Sequence, residues 1–128
     1  MQNNSLKMLA EGLAAKGIAS RRYDKRGIGK SQAAIMSEEE LRFEHYIDDA
    51  AAWADMFIGD RMFSTIAIAG HSEGSLIGMV AAQKSTAVKA YISIAGCGRP
   101  AHEVIEEQLN PQPEQIRNEA ATINRELL

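Results

Sequence analysis

Thr65-Ile66-Ala67-Ile68-Ala69-Gly70-His71-Ser72-Glu73-Gly74-Ser75 is the stretch that decides the fold: a short, β-branched apolar run breaks into two glycines placed around a serine. From Ser75 to Gln83 the residues turn into helix formers, with Leu76, Ile77, Val80 and Ala81 at a 3.6-residue period. A strand that ends in a tight turn and launches a helix is the setting in which G-x-S-x-G presents a nucleophilic serine. Such a turn strains the serine backbone, and glycines at Gly70 and Gly74 are expected to leave room where a Cβ would collide. The amides that open the following helix favour negative charge. The plain alternative is a glycine-bounded turn whose serine only caps the helix.

Upstream of this stretch, Phe43, Tyr46, Ile47, Ala50, Trp53, Ala54 and Phe57 share one helical face. Ser37 and Glu40 read as a capping box, the acidic run 38–40 suits a helix start, and Gly59 marks the end. Before that helix lies the loop Asp24-Lys25-Arg26-Gly27-Ile28-Gly29-Lys30-Ser31, preceded by a strand over Ile18 to Tyr23. Leu6, Leu9, Ala10 and Leu13 predict a first helix, capped by Asn4 or Ser5 and ended by Gly17. Downstream, Ala87 to Ile94 predicts a third strand. Strands alternating with helices at these spacings mean parallel crossover units, so the fold class is α/β, a three-layer αβα sandwich with a short parallel sheet. Beyond Pro100 the chain changes to polar helical segments, Ala101 to Leu109 and Glu114 to Leu128, split by Pro111-Gln112-Pro113. Residues 1–99 therefore form a core and 100–128 a helical appendage.

The 128 residues suit one domain, 45% of them apolar and only 5% aromatic, which predicts an aliphatic core with helices lying close to the sheet on small residues. A formal charge of −3 offers no basic field for nucleic acid or an anionic membrane, and neither partner is expected. No apolar run reaches the roughly 20 residues that span a bilayer, and Met1-Gln2-Asn3-Asn4 lacks a signal-peptide core, so a cytoplasmic location is expected. The single cysteine, Cys97, excludes an internal disulfide and a cysteine-based metal site within one chain; it reads as a small filler at a strand end.

Three stretches together resemble the α/β-hydrolase superfamily, and within it bacterial esterases and peptidase-like serine hydrolases whose nucleophile motif reads G-H-S-E-G. They are Arg22-Tyr23-Asp24-Lys25-Arg26-Gly27-Ile28-Gly29-Lys30-Ser31, similar to an R-Y-D-x-R-G-x-G-x-S segment, the turn at Gly70 to Gly74, and Ser93-Ile94-Ala95-Gly96. The resemblance spans roughly residues 5 to 105. It implies that Ser72 is the nucleophile and that the backbone N–H of Glu73 is one oxyanion donor. It implies a second donor from a loop that would precede Asn3, and a base histidine and an acid from loops after two later strands, beyond the polar helices. It also implies that residues 100–128 begin a cap, that small esters or related acyl compounds are the substrates, and that no cofactor or metal is needed. Arg21 departs from the pattern, standing where relatives carry an apolar strand residue.

Of the histidines, His45 reads as a helix-face residue and His71, at the variable motif position, as pointing away from the serine hydroxyl. His102, at the start of the cap, is the candidate base within this sequence. Asp24 and Arg26 read as the internal brace of the glycine loop, through a side-chain to backbone bond and an ion pair. Two rival functions remain open. One is a phosphate-binding loop ending in Gly29-Lys30-Ser31, though Asp24 stands where its first glycine belongs and would repel phosphate. The other is a non-catalytic hydrolase module used in binding or assembly, for which three strands with open sheet edges predict a homo-oligomer. Without an encoded base, turnover is expected to be weak.

Overall fold

The computed structural model describes residues 4–34, 37, 40–59 and 63–126, and it divides into two compact units, residues 1–42 and residues 43–128. In the first unit, α1 spans Ser5–Ala14. Its end is a Schellman motif: Ile18 N–H donates to the Leu13 carbonyl at 3.0 Å and Gly17 N–H to the Ala14 carbonyl at 2.9 Å, with Gly17 at φ 75°. The following loop is closed by Asp24, whose carboxylate accepts the Lys30 N–H at 3.0 Å. Gly29, at φ 53°, is required there, because a Cβ would come within 2.9 Å of the Asp24 carboxyl carbon. A 3₁₀ stretch, Gly29–Ala34, follows, with a kink at Ser31.

The strand expected over residues 18–23 does not form. Extended backbone becomes a strand only when a neighbour takes up its N–H and C=O groups, and no described residue pairs with this segment. Arg21 and Arg22 are both exposed, as are Ile18 and Tyr23, so the segment is not the enclosed strand that its apolar members suggested.

The second unit holds α2 (Phe43–Gly59), β1 (Ile66–His71), α3 (Glu73–Lys84), β2 (Val88–Ile94), α4 (Ala101–Leu109) and α5 (Glu114–Glu126). β1 and β2 pair in parallel from Ile66 opposite Val88 to His71 opposite Ile94, with one irregularity between Ile66 and Ala67. Parallel neighbours need a crossover, and α3 provides it. α2 begins later than its capping signal implies: Ser37 Oγ does accept the Glu40 N–H at 3.2 Å, but this closes a turn ahead of the helix. Residues 38 and 39 of the acidic run lie outside the described residues.

Side chains alternate across β1, and Ile68 and Gly70 face α3. Gly78 of α3 lies so close to the ladder that a Cβ there would come within 2.9 Å of Ile68 Cγ2 and 3.2 Å of Tyr91 Cε2. This is the close helix-to-sheet approach that the small-residue composition predicts. The core joins Ile47, Ala50 and Ala51 of α2 to Ile77 and Ala81 of α3, with Phe43, Tyr46, Ile68 and Val80 packed around them. Leu76, which shares the apolar period of α3, is 47% exposed. Trp53 stacks on Phe57 at 5.8 Å, and Phe57 meets Phe63 edge-on at 5.8 Å. At the far end, Ser85 donates to an Asp55 carboxylate oxygen and accepts the Ala87 N–H at 3.2 Å, tying the loop after α3 to α2. Lys84 and Asp48 pair beside it.

Ala67, Ala69 and His71, on the ladder face away from α3, are exposed, as is Ile92. Within this unit the sandwich is therefore built to two layers, the helix pair and the ladder. α4 and α5 pack on each other across the turn at residues 110–113, and Arg99 pairs with Glu107 of α4. Among the described residues, no helix is long and apolar enough to cross a membrane.

Candidate active site

Ser72 sits between the last residue of β1 and the first of α3, at φ 55° and ψ −122°. Positive φ is uncommon outside glycine and costs about 1–3 kcal/mol unless the surroundings fix it. Here they do: Ser72 N–H donates to the Ile94 carbonyl of β2 at 2.9 Å, and the Ser72 carbonyl accepts the Ser75 N–H at 2.9 Å. The Ser72 hydroxyl makes no capping bond to the helix, which removes the capping-serine alternative. It is exposed at the carboxyl end of the strands, where crossover folds of this class place their ligands.

The two glycines differ. A Cβ on Gly70 would overlap the Gly74 carbonyl and lie 2.8 Å from Ser75 Cα, so strand and helix cross here only because that atom is missing. A Cβ on Gly74 would meet nothing within 4 Å, contrary to the expectation that both positions are crowded. Glu73 opens α3, so its N–H belongs to the first turn, whose amides have no intrahelical acceptor and point toward the helix entrance. Its acidic side chain also suits that end of the helix dipole.

Three residues that the motif does not announce complete the turn. Ser75, 3% exposed, donates its hydroxyl to the Gly70 carbonyl at 2.7 Å and lies 3.2 Å from the Ile94 carbonyl. Tyr91 donates its hydroxyl to the Ser75 carbonyl at 2.5 Å. Ala95, directly after β2, is a second non-glycine at positive φ, 50°. Tyr91 is 16 residues from its partner, and the sequence around it carries no signal of the bond.

His71 lies on the ladder face away from α3, His45 is on α2, and His102 is half-buried in the first turn of α4. None of the three hydrogen-bonds to Ser72. Cys97 is exposed, so the small-filler reading does not hold. Arg99 has its pKa raised above the usual value, first by its hydrogen bond to Glu107 and then by the charge of that carboxylate. Asp24 fills its own loop with a carboxylate, so the amide that a phosphate would need is already taken. Among the described residues no group of three or more His, Cys, Asp or Glu converges as a metal site. A groove between α4 and α5, lined by Glu106, Leu109, Asn110, Arg117 and Asn118, includes no residue of the turn at Gly70 to Gly74.

The model of the serine aminopeptidase S33 family matches residues 3–125, almost the whole chain. The chain belongs to the S33 serine aminopeptidase family. It is thus a hydrolase-family protein of the α/β-hydrolase type, and the parallel β1–α3–β2 unit is the part of that fold that carries the strained serine. Comparison with curated proteins and with solved structures gives no match. Membership of S33 leaves the phosphate-loop rival without support.

Proposed function

We propose that this protein is a serine hydrolase in which Ser72 attacks a carboxylic ester or a related acyl compound to form an acyl-enzyme. The observation that carries this is the backbone of Ser72, held at φ 55° at the head of α3 with no capping bond from its hydroxyl to that helix. Attack would place the developing oxyanion beside the Glu73 amide and the positive end of the helix; its collapse would break the bond to the alcohol or amine, which leaves with the proton given up by Ser72, and water would then release the acyl group. The family description extends the acyl class to aminoacyl amides. Serine activation needs a base beside the hydroxyl, so it is the weak step and slow acylation is expected. His102 is the in-chain residue through which a base could act. No cofactor enters this mechanism. Residues 100–128 would begin the cap over the acyl site.

Labelling with a fluorophosphonate probe tests the proposal, with p-nitrophenyl esters and aminoacyl p-nitroanilides as substrates. Slow labelling that vanishes in Ser72→Ala is the expected result. No labelling of Ser72 under any condition sinks the catalytic reading and leaves the second one, a non-catalytic module of the same family.

A further inference from the structure

We propose that Ser75, braced by Tyr91, is a positioning residue that sets the backbone conformation of Ser72; the inference rests on Ser72 being the nucleophile. Ser75 touches the turn from every side that matters. Its N–H donates to the Ser72 carbonyl at 2.9 Å, and its hydroxyl donates to the Gly70 carbonyl, two residues before Ser72, at 2.7 Å. The same hydroxyl lies 3.2 Å from the Ile94 carbonyl, the acceptor that holds Ser72 N–H at 2.9 Å. One proton therefore serves two carbonyls, with the nearer Gly70 oxygen as its main acceptor.

The side chain is also closely covered. A Cβ on Gly96 would come within 2.7 Å of Ser75 Cβ and 3.0 Å of its Oγ, so the Ala95-Gly96 turn closes over the side chain. From below, the Tyr91 hydroxyl donates to the Ser75 carbonyl at 2.5 Å and fixes the first turn of α3 against β2. A buried serine whose hydroxyl is aimed at the Gly70 carbonyl and at the Ile94 carbonyl that holds Ser72 does more than fill space, because alanine would fill almost the same volume. A non-glycine at positive φ relaxes toward ordinary backbone unless its neighbours over-determine it. Removing the Ser75 hydroxyl leaves the Gly70 carbonyl without that donor and lets the β1–α3 junction open.

The second buried serine, Ser85, provides the control: it is 4% exposed, bonds to Asp55, and lies at the other end of α3. Ser75→Ala, Tyr91→Phe and Ser85→Ala are compared in the full chain by two readouts. The first is amide hydrogen exchange at Ser72, which needs no chemistry. Exchange about tenfold or more faster in Ser75→Ala than in Ser85→Ala is expected, after both are referred to their own global stabilities. The second is fluorophosphonate labelling, with the maximal rate expected to fall about 10- to 100-fold in Ser75→Ala. The half-saturating probe concentration stays unchanged, and Ser85→Ala labels as the parent does. Equal Ser72 exchange in the two serine variants overturns the inference whatever the labelling shows. If the parent is never labelled, the hydrolase proposal fails by itself and exchange still decides the positioning role. Should Ser75→Ala not fold, Tyr91→Phe carries the same comparison, with faster Ser72 exchange supporting the inference and parental exchange overturning it.

Discussion

A methyl group separates the roles of the two motif glycines. At Gly70 it would run into the Gly74 carbonyl, 2.5 Å from its carbon, and backbone atoms of a strand and a helix cannot step aside. At Gly74 it would point into open space on a helix, where alanine replaces glycine with a gain of about 1 kcal/mol. Gly70→Ala is therefore expected to lower stability by about 3 kcal/mol or to prevent folding. Gly74→Ala is expected to melt at or above the parent temperature. A chemical-denaturation series on both variants checks this, and equal losses at the two sites would contradict the geometry. Spelling alone does not distinguish these glycines, since G-x-S-x-G records that both are present and not which one is crowded. The same limit hid Ser75 and Tyr91, whose bond joins a helix to a strand 16 residues away.

Among the elements, the helices were the most legible, because an apolar period and a terminal glycine are local properties. α1 ends in its Schellman motif at Gly17, and α2 buries Ile47, Ala50 and Ala54 as its period requires. Period gives a face but not a partner, which is why Leu76 is exposed beside buried Ile77. Strands are two-body objects: residues 18–23 have a strand-like composition yet no ladder, whereas 66–71 and 88–94 find each other. The joint between α2 and the end of α3 shows how burial ranks two neighbouring polar contacts. Asp55→Ala removes the carboxylate that buried Ser85 donates to, and is expected to cost about 1–3 kcal/mol. Lys84→Ala removes an ion pair whose side chains are 57% and 49% exposed, and is expected to cost under about 0.5 kcal/mol, less in salt. Thermal melts of the two variants at low and high salt compare them directly, and a larger loss for Lys84→Ala would reverse the ranking.

At the scale of the whole molecule, the core is thin: alanines and two isoleucines supply its buried part, and among the described residues no large side chain is completely enclosed. Ala67, Ala69 and Ile92 show an apolar ladder face, and no described residue pairs with the outer edge of β1 or of β2. Such a surface favours contact with a second copy, and the chain is expected to self-associate at micromolar concentration. Light scattering after size exclusion checks this, with Ala69→Lys expected to shift the distribution toward monomer. A monomeric parent would remove the oligomer from the account. The bond from Ser72 N–H to the Ile94 carbonyl bears on how this turn could be reused elsewhere. An engineer who transplants residues 66–78 into another α/β scaffold would carry the serine and leave behind the carbonyl that holds it. The smallest portable piece is a matched pair of segments, the turn itself and the stretch from Tyr91 to Gly96, because the serine backbone is held by one and carried by the other.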